Sequence, residues 1–419
     1  MLRGLATLCT KSTRASLANR RYFFTATVSN PTFTSFFYHN TQWANNPSSS
    51  SSATRRIAHA LPNSTVVAVP ENISAYKPAE AISSRALLKS YAQLSKARLS
   101  ILVTLTAMSG VALSPLPITL PILFSTAIGT ALCSASANTL NQLQEVPFDA
   151  QMARTRTRPL VRRAISPLHA TAFAVVTGIA GPALLWTMVN PITAVLGASN
   201  IVLYAGVYTW LKRRGVINTW VGAVVGGLPP LMGWTACGGK LLPSQVYPPQ
   251  IFLPSFLSPE SLPSLDVSLV DNPVAPLALF ILCFCWQFPH FNALSYVVRG
   301  SYAQAGFRML SVVSPPKNAL VALRHSALLL ATCSFLIPLS GLTTWAFALT
   351  SLFPNLIITR AAYRFWQRTS EKEAKVLFQH CLWYLPVILG LMMVHKQGMD
   401  WQRYVGFKSD AVKDEDKRP

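Results

Sequence analysis

From about residue 100 onward, long apolar stretches alternate with short polar joints, and each stretch has the length and hydropathy of a helix that crosses a bilayer. The pattern predicts nine spans: Ile101 to Leu116, Ile118 to Leu140, Leu168 to Val189, Ile192 to Leu211, Ile217 to Ala236, Val274 to Val297, Ser326 to Leu339, Leu342 to Ile358 and Leu377 to Val394. Several fall short of the roughly 20 residues a straight span prefers, which implies tilt or shifted edges. Cations test the count. With nine alternating spans, Lys96 and Arg98, Arg154 to Arg163, Lys212 to Arg214, Arg299 to Arg324 and Arg360 to Lys375 all fall on one side of the membrane. The opposite side receives Ser114 to Pro117, the Asn190-Pro191 turn, the Gly341 turn and the proline-rich Gly238 to Pro273 loop, whose one cation is Lys240. An added or missing helix would scatter the cations over both sides, so the positive-inside rule supports an odd total and assigns the basic side to the interior.

Composition agrees. Of 419 residues, 51% are hydrophobic and 12% charged, a balance outside the range of a soluble domain. The net charge of +22 lies at the ends of apolar runs rather than among aromatics on one polar face, so nucleic acid is not the expected partner. The seven cysteines show no C-x-x-C or Cys/His ligand spacing and read as small buried apolar residues. From Met1 to Pro70 there is no Asp or Glu, while arginines are spread among Ser, Thr and Ala. That is transit-peptide composition, and it lacks the apolar core of a secretory signal. The chain therefore divides into a mitochondrial transit and disordered segment over residues 1–80, a membrane domain over 81–397 and a polar tail over 398–419.

The densest chemistry lies at the end of the second span, in NTLNQLQEVPFDAQMARTRTRPLVRR from Asn138 to Arg163. Asn141, Glu145 and Asp149 recur every four residues, which puts three oxygen ligands on one helix face. Arg154, Arg156, Arg158, Arg162 and Arg163 follow, with planar forks suited to phosphate oxygens. Acids beside arginines point to a metal-bridged polyphosphate; the plainer reading is a topogenic loop with compensating acids. Pro147 interrupts the backbone between the two carboxylates, predicting a kink or an unwound turn. Lys212 and Arg213 end the fourth span and Asn218 begins the fifth; positive-inside anchoring explains the cations equally well. Near the end of the sixth span, WQFPHFNALS places Gln287, His290 and Asn292 among aromatics, where intramembrane polar groups are functional candidates and hydrogen-bonded core residues are the alternative.

NQLQEVPFDAQMARTRTRPL, YTWLKRRGVINTWVGAVVGGLPPLMGW and FCWQFPHFNALS together closely resemble the haem-farnesylating branch (protoheme IX farnesyltransferases, haem O synthases) of the UbiA-type intramembrane prenyltransferase superfamily, over about Ser90 to Val394. The resemblance implies an all-α polytopic membrane protein of nine transmembrane helices around a central cavity. It also implies Mg2+ on Asn141, Glu145 and Asp149, and farnesyl transfer from farnesyl diphosphate to a vinyl group of haem B. Arg154, Arg158, Lys212, Arg213 and Arg299 become candidate diphosphate ligands. Tyr208, Asn218, Trp286, Gln287, His290, Phe291 and Asn292 become candidates for the acceptor and cation pocket, with His290 toward haem. The mitochondrial inner membrane, catalytic loops on the matrix side, and proteins of haem A synthesis and cytochrome c oxidase assembly as partners are implied in the same way. Relatives carry an acidic residue before the Tyr of the six-seven loop, where this chain has Gly300 and Ser301, so the usual acidic ligand of a second Mg2+ is missing there, and Lys212, Arg213 and Arg299 are expected to take more of the diphosphate charge. A sister enzyme with a quinone-precursor acceptor would share the first motif but not WQFPHF. A non-enzymatic haem carrier would not need the acids and cations gathered on one face.

Overall fold

The computed structural model describes residues 83–254, 257 and 271–398; the transit segment, the tail beyond residue 398 and part of the proline-rich loop lie outside them. The described residues form helices and one isolated β-bridge, with no strand among them. We number the helices α1 (Ser84–Leu94), α2 (Ala97–Leu113), α3 (Leu120–Asp149), α4 (Pro167–Met188), α5 (Pro191–Leu211), α6 (Asn218–Ala236), α7 (Val274–Val297), α8 (Arg299–Gln304), α9 (Leu310–Val313), α10 (Pro315–Leu339), α11 (Ala346–Thr350), α12 (Leu352–Arg368) and α13 (Glu371–Val394).

Local chemistry sets the starts. Ser83, Ser166, Asn190 and Ser370 each accept a backbone N–H from the first turn of the helix that follows, and Pro167 and Pro191 open α4 and α5 where no N–H is needed. Glu371 and Glu373 sit in the first turn of α13, where carboxylates favour the helix dipole.

Each of the nine expected spans falls largely on helix, although the eighth opens on the non-helical Leu342 to Trp345, and they do not all meet the criterion for crossing a membrane. Among the described residues six helices, α3, α4, α5, α7, α10 and α13, are long and apolar enough, and α1 with α2, bent by 54°, would make seven. The exceptions have a physical basis. α6 carries Asn218, Gly226, Gly227, Pro229 and Pro230, yet it packs against α2, α5 and α7, so protein rather than lipid surrounds its polar and helix-breaking positions. The segment from Ala346 to Arg368 is broken at Ser351 and ends in arginines.

Neighbours run α2–α3–α4–α5–α6 through the first half and α6–α7–α10–α12–α13 through the second, with α13 returning to α7 and α2. At the α2–α6 crossing the backbones nearly touch: a Cβ on Gly110 would lie 2.2 Å from the Pro230 carbonyl oxygen, and one on Gly233 would lie 1.9 Å from that of Ala107. The large buried side chains Trp234, Tyr384, Phe347 and Phe365 belong to the core of the second half.

On the side away from the basic loops, the chain ties itself down. Phe252 N–H donates to the Leu339 carbonyl (2.9 Å), Asn272 Nδ2 to those of Gln250 (2.8 Å) and Ser340 (2.9 Å), and Lys396 Nζ to those of Ala112 (2.9 Å) and Ser114 (2.8 Å) at the end of α2.

Candidate functional site

The last turns of α3 carry Asn141, Glu145 and Asp149, which are 0%, 4% and 1% exposed. α3 runs unbroken through Pro147 to Asp149, so the expected unwound turn does not form. Pro147 has no N–H for the Leu143 carbonyl, but only the last turn lies beyond that missing bond. Beyond the helix, Thr155 Oγ1 donates to the Asp149 carbonyl (3.0 Å) and holds the arginine-rich turn under the carboxylates.

Three cations reach these oxygen groups from three parts of the chain. Lys96 Nζ donates to Asn141 Oδ1 (2.9 Å) and to the Tyr204 hydroxyl (3.3 Å). Its position depends on the α1–α2 bend, where Lys96 itself takes a left-handed φ of 48°. α3 supports that bend: Gln142 Nε2 donates to the Gln93 (2.9 Å) and Leu94 (2.8 Å) carbonyls, and Asn138 Nδ2 to that of Ser95 (3.1 Å). Lys212, just past α5, bonds Glu145 Oε1 at 2.6 Å. Arg158 pairs with Asp149 Oδ2 and lies 3.6 Å from Glu145 Oε2. Burial by itself would lower the Lys212 ammonium, but the Glu145 carboxylate outweighs it and raises the pKa above the usual lysine range, so the group stays charged through neutral pH.

Aromatic rings line this cluster. A π-helical stretch, Val202–Tyr208, presents Tyr204 and Tyr208 as a stacked pair with centroids 5.3 Å apart. The Lys212 ammonium lies 4.6 Å from the Tyr208 centroid and 6.0 Å from that of Phe307. Asn141 Nδ2 donates to Thr209 Oγ1 (3.0 Å). Asn218 is fully buried and ties the loop after α5 to the one after α8, donating to the Gly215 (2.6 Å) and Arg308 (3.3 Å) carbonyls.

The other expected cations point elsewhere. Arg154 is exposed. Arg213 is exposed and stacks 4.4 Å from the Phe148 centroid, on the rim beside Asp149. Arg299 lies over Tyr296 (4.1 Å) and donates to that residue's carbonyl (2.8 Å). α8 has no carboxylate, and Gly300 faces open space.

α7 carries the remaining candidates, and they serve different ends. Trp286 and His290 stack (4.8 Å), and His290 also faces Phe378 on α13 (5.0 Å), leaving a buried Nδ1 without a hydrogen-bond partner. Trp286 Nε1 donates to the Cys381 carbonyl (3.1 Å) and Gln287 Nε2 to that of Ala223 (3.0 Å). Phe291 packs against the cluster of Met152, Tyr302, Phe307 and Met309 beside the arginine turn. Asn292 exchanges bonds with Asn318 of α10: each Nδ2 donates to the other's backbone carbonyl, at 3.1 and 3.0 Å.

Lys96, Tyr204, Thr209 and Phe307 belong to the site without having stood out in the sequence. The spacing held one usable signal: Tyr204 lies four residues before Tyr208, one helical turn away.

The donor set suits a hard divalent cation. Asn141, Glu145 and Asp149 offer only oxygen, and the buried Asp149 Oδ1 has no hydrogen-bond partner. Mg2+ is ordinarily held by one or two carboxylates, with substrate phosphates and water completing the shell. Two carboxylates and an amide oxygen meet that requirement.

With this geometry in view, the chain belongs to the UbiA prenyltransferase family, whose pattern matches residues 102–383, more than half of the sequence. Among its relatives, the mitochondrial protoheme IX farnesyltransferase of Pyricularia oryzae is 43% identical over 339 residues, covering 78% of this chain and 58% of the relative. The protein of the same name from Homo sapiens is 42% identical over 306 residues, covering 73% of this chain and 62% of the relative. The chain thus spans a little under two thirds of the length of both. A solved structure of digeranylgeranylglyceryl phosphate synthase has the same fold, with a TM-score of 0.54 at 14% identity, covering 74% of this chain and 98% of that one.

Proposed function

We propose that the chain transfers a farnesyl group from farnesyl diphosphate to a vinyl group of haem B, giving haem O for haem A and cytochrome c oxidase biogenesis. The observation that carries this reading is the buried contact of three cations with three oxygen ligands on one helix face, backed by relatives named protoheme IX farnesyltransferase.

Asn141, Glu145 and Asp149 would hold Mg2+. When bound, the metal neutralises the diphosphate and so favours departure of the leaving group. In the structure, however, the oxygens are engaged by Lys96, Lys212 and Arg158. An incoming diphosphate would draw these cations onto its own oxygens and so free Asn141, Glu145 and Asp149, the residues that would hold the metal. The same cations then stabilise the charge that builds up as the allylic C–O bond breaks. The Tyr204–Tyr208 stack, with Phe291 beside Phe307 and Trp286 five residues earlier on α7, would face the resulting farnesyl cation, at roughly 0.5–2 kcal/mol per desolvated ring. The vinyl π electrons of haem B form the new C–C bond to the farnesyl carbon. Water adds to the cation left on the haem side chain and loses a proton, giving the hydroxyethylfarnesyl group. His290, with its free Nδ1 between two aromatic rings, orients haem through its iron or a propionate.

We place the protein in the mitochondrial inner membrane with this site on the matrix side. The acid-free N-terminal sequence, the relatives' mitochondrial names and the run of basic loops support that placement.

The test is to incubate purified full-length protein with Mg2+, farnesyl diphosphate and haem B and to identify products by mass. Haem O is the expected product. Prenylation of an added quinone precursor instead would replace the acceptor assignment, and binding of haem without turnover would replace enzyme by carrier.

A further inference from the structure

α12 has two unlike faces. Inward, Asn355, Ile358, Ala361, Ala362 and Phe365 are buried against α10 and α13. Outward, Phe353 is 73% and Leu356 56% exposed, followed along the same face by Arg360, Tyr363 and Arg364. The helix contains no Asp or Glu. Arg368, in its last turn, is paired with Glu373 at 2.8 Å, whereas Arg360 and Arg364 have no ion pair or hydrogen bond to any described residue. Tyr363 is held by Gln367, whose Nε2 donates to its hydroxyl (2.7 Å), and lies 5.9 Å from the ring of Trp366.

The order along the axis identifies the occupant. Seven residues separate Phe353 from Arg360, about 10 Å of helix. Exposed hydrocarbon thus gives way within that distance to two arginines one turn apart, about 6 Å along the axis, flanked by Tyr and Trp at the level where such rings mark a membrane interface. A soluble acidic partner would match the arginines but not the apolar turns before them. A hydrophobic partner helix would match those turns but leave two charges uncompensated. A phospholipid satisfies both.

We propose that the outer face of α12 binds an anionic phospholipid, its phosphate oxygens gripped by Arg360 and Arg364 and its acyl chains lying over Phe353 and Leu356. Headgroups with two bridged phosphates fit best, because the arginines are one turn apart and each fork can take a phosphate bidentately.

The experiment uses full-length protein in phosphatidylcholine nanodiscs, with and without diphosphatidylglycerol, released for native mass spectrometry. Wild type is expected to retain diphosphatidylglycerol adducts, and R360Q/R364Q to lose about tenfold in occupancy, as for two solvent-screened charge contacts. R360K/R364K keeps the charge but lacks the forks, and is expected to lose severalfold. The lipid should also raise the unfolding temperature of wild type and not that of R360Q/R364Q. Unchanged adduct occupancy in R360Q/R364Q, or equal retention of phosphatidylcholine, would overturn the proposal and leave the arginines as topological charges. A protein bound to this face in place of lipid would overturn it as well. Both side chains are exposed and unpaired, so the substitutions leave folding and the site on α3 intact.

Discussion

α3 and α7 are built alike and equipped differently. Each is a long helix with a proline near its end, Pro147 and Pro289, and each carries its candidate groups at four-residue spacing around that proline. On α3 the spacing aligns Asn141, Glu145 and Asp149, and every one meets a cation. On α7 it aligns Trp286 with His290 in an aromatic stack that extends to Phe378. The loop after α7, where a second acidic pair would make the halves symmetric, offers Gly300 and Ser301. Under the proposed function this contrast would be a division of labour, with the α3 half managing the charge of the diphosphate and the α7 half presenting a largely uncharged aromatic wall to a flat acceptor.

That division can be broken at either helix. The largest effect is expected from Asp149→Ala, which should lower haem O formation by at least ~10²–10³-fold. Mass spectrometry of the product, with membrane insertion checked separately, reads it; normal turnover would remove the metal role. Lys212→Ala should raise the apparent KM for farnesyl diphosphate about tenfold, the loss of one charge-assisted contact. It should also destabilise the fold by roughly 3–5 kcal/mol, because Glu145 is left charged and buried. An unchanged KM would confine Lys212 to a structural role. The resident cations give a third test. Mn2+ alone should show little binding by electron paramagnetic resonance, and inorganic pyrophosphate should increase it by about tenfold or more, as expected when one ligand completes the site of another. Equal binding without pyrophosphate would mean that Lys96, Lys212 and Arg158 do not guard the ligands. On α7, His290→Ala should change the absorbance spectrum of bound haem, and an identical spectrum would sink the ligation. The smallest effect belongs to Asn292→Ala, expected to cost about 1–3 kcal/mol of stability with no change in either substrate's KM. A selective rise in the haem KM would move Asn292 into the acceptor pocket.

The sequence revealed these regions unevenly. The α3 row was legible because charge inside a membrane is costly and periodic placement restricts what it can do. The helical segments were legible as apolar runs, although α6 shows that a helix enclosed by protein can carry prolines and polar groups that a lipid-facing span could not. Lys96 was not legible as a site residue, since a lysine before a span reads as a topological marker. Only the bend at that residue, fixed by Gln142 and Asn138, turns its side chain onto Asn141. Gln287 and Asn292 show the converse ambiguity. Polar groups in an apolar helix can bind substrate or tie backbones together, and composition does not distinguish the two; here both donate to carbonyls of neighbouring helices.

The reciprocal bonds between Asn292 and Asn318 bear on how such a protein can change over time. Each amide holds the other residue's backbone carbonyl, so losing one asparagine removes one of the two bonds between α7 and α10 and leaves the bond that the other donates. Drift at one position should therefore weaken the tie between the two helices by a step rather than undo it.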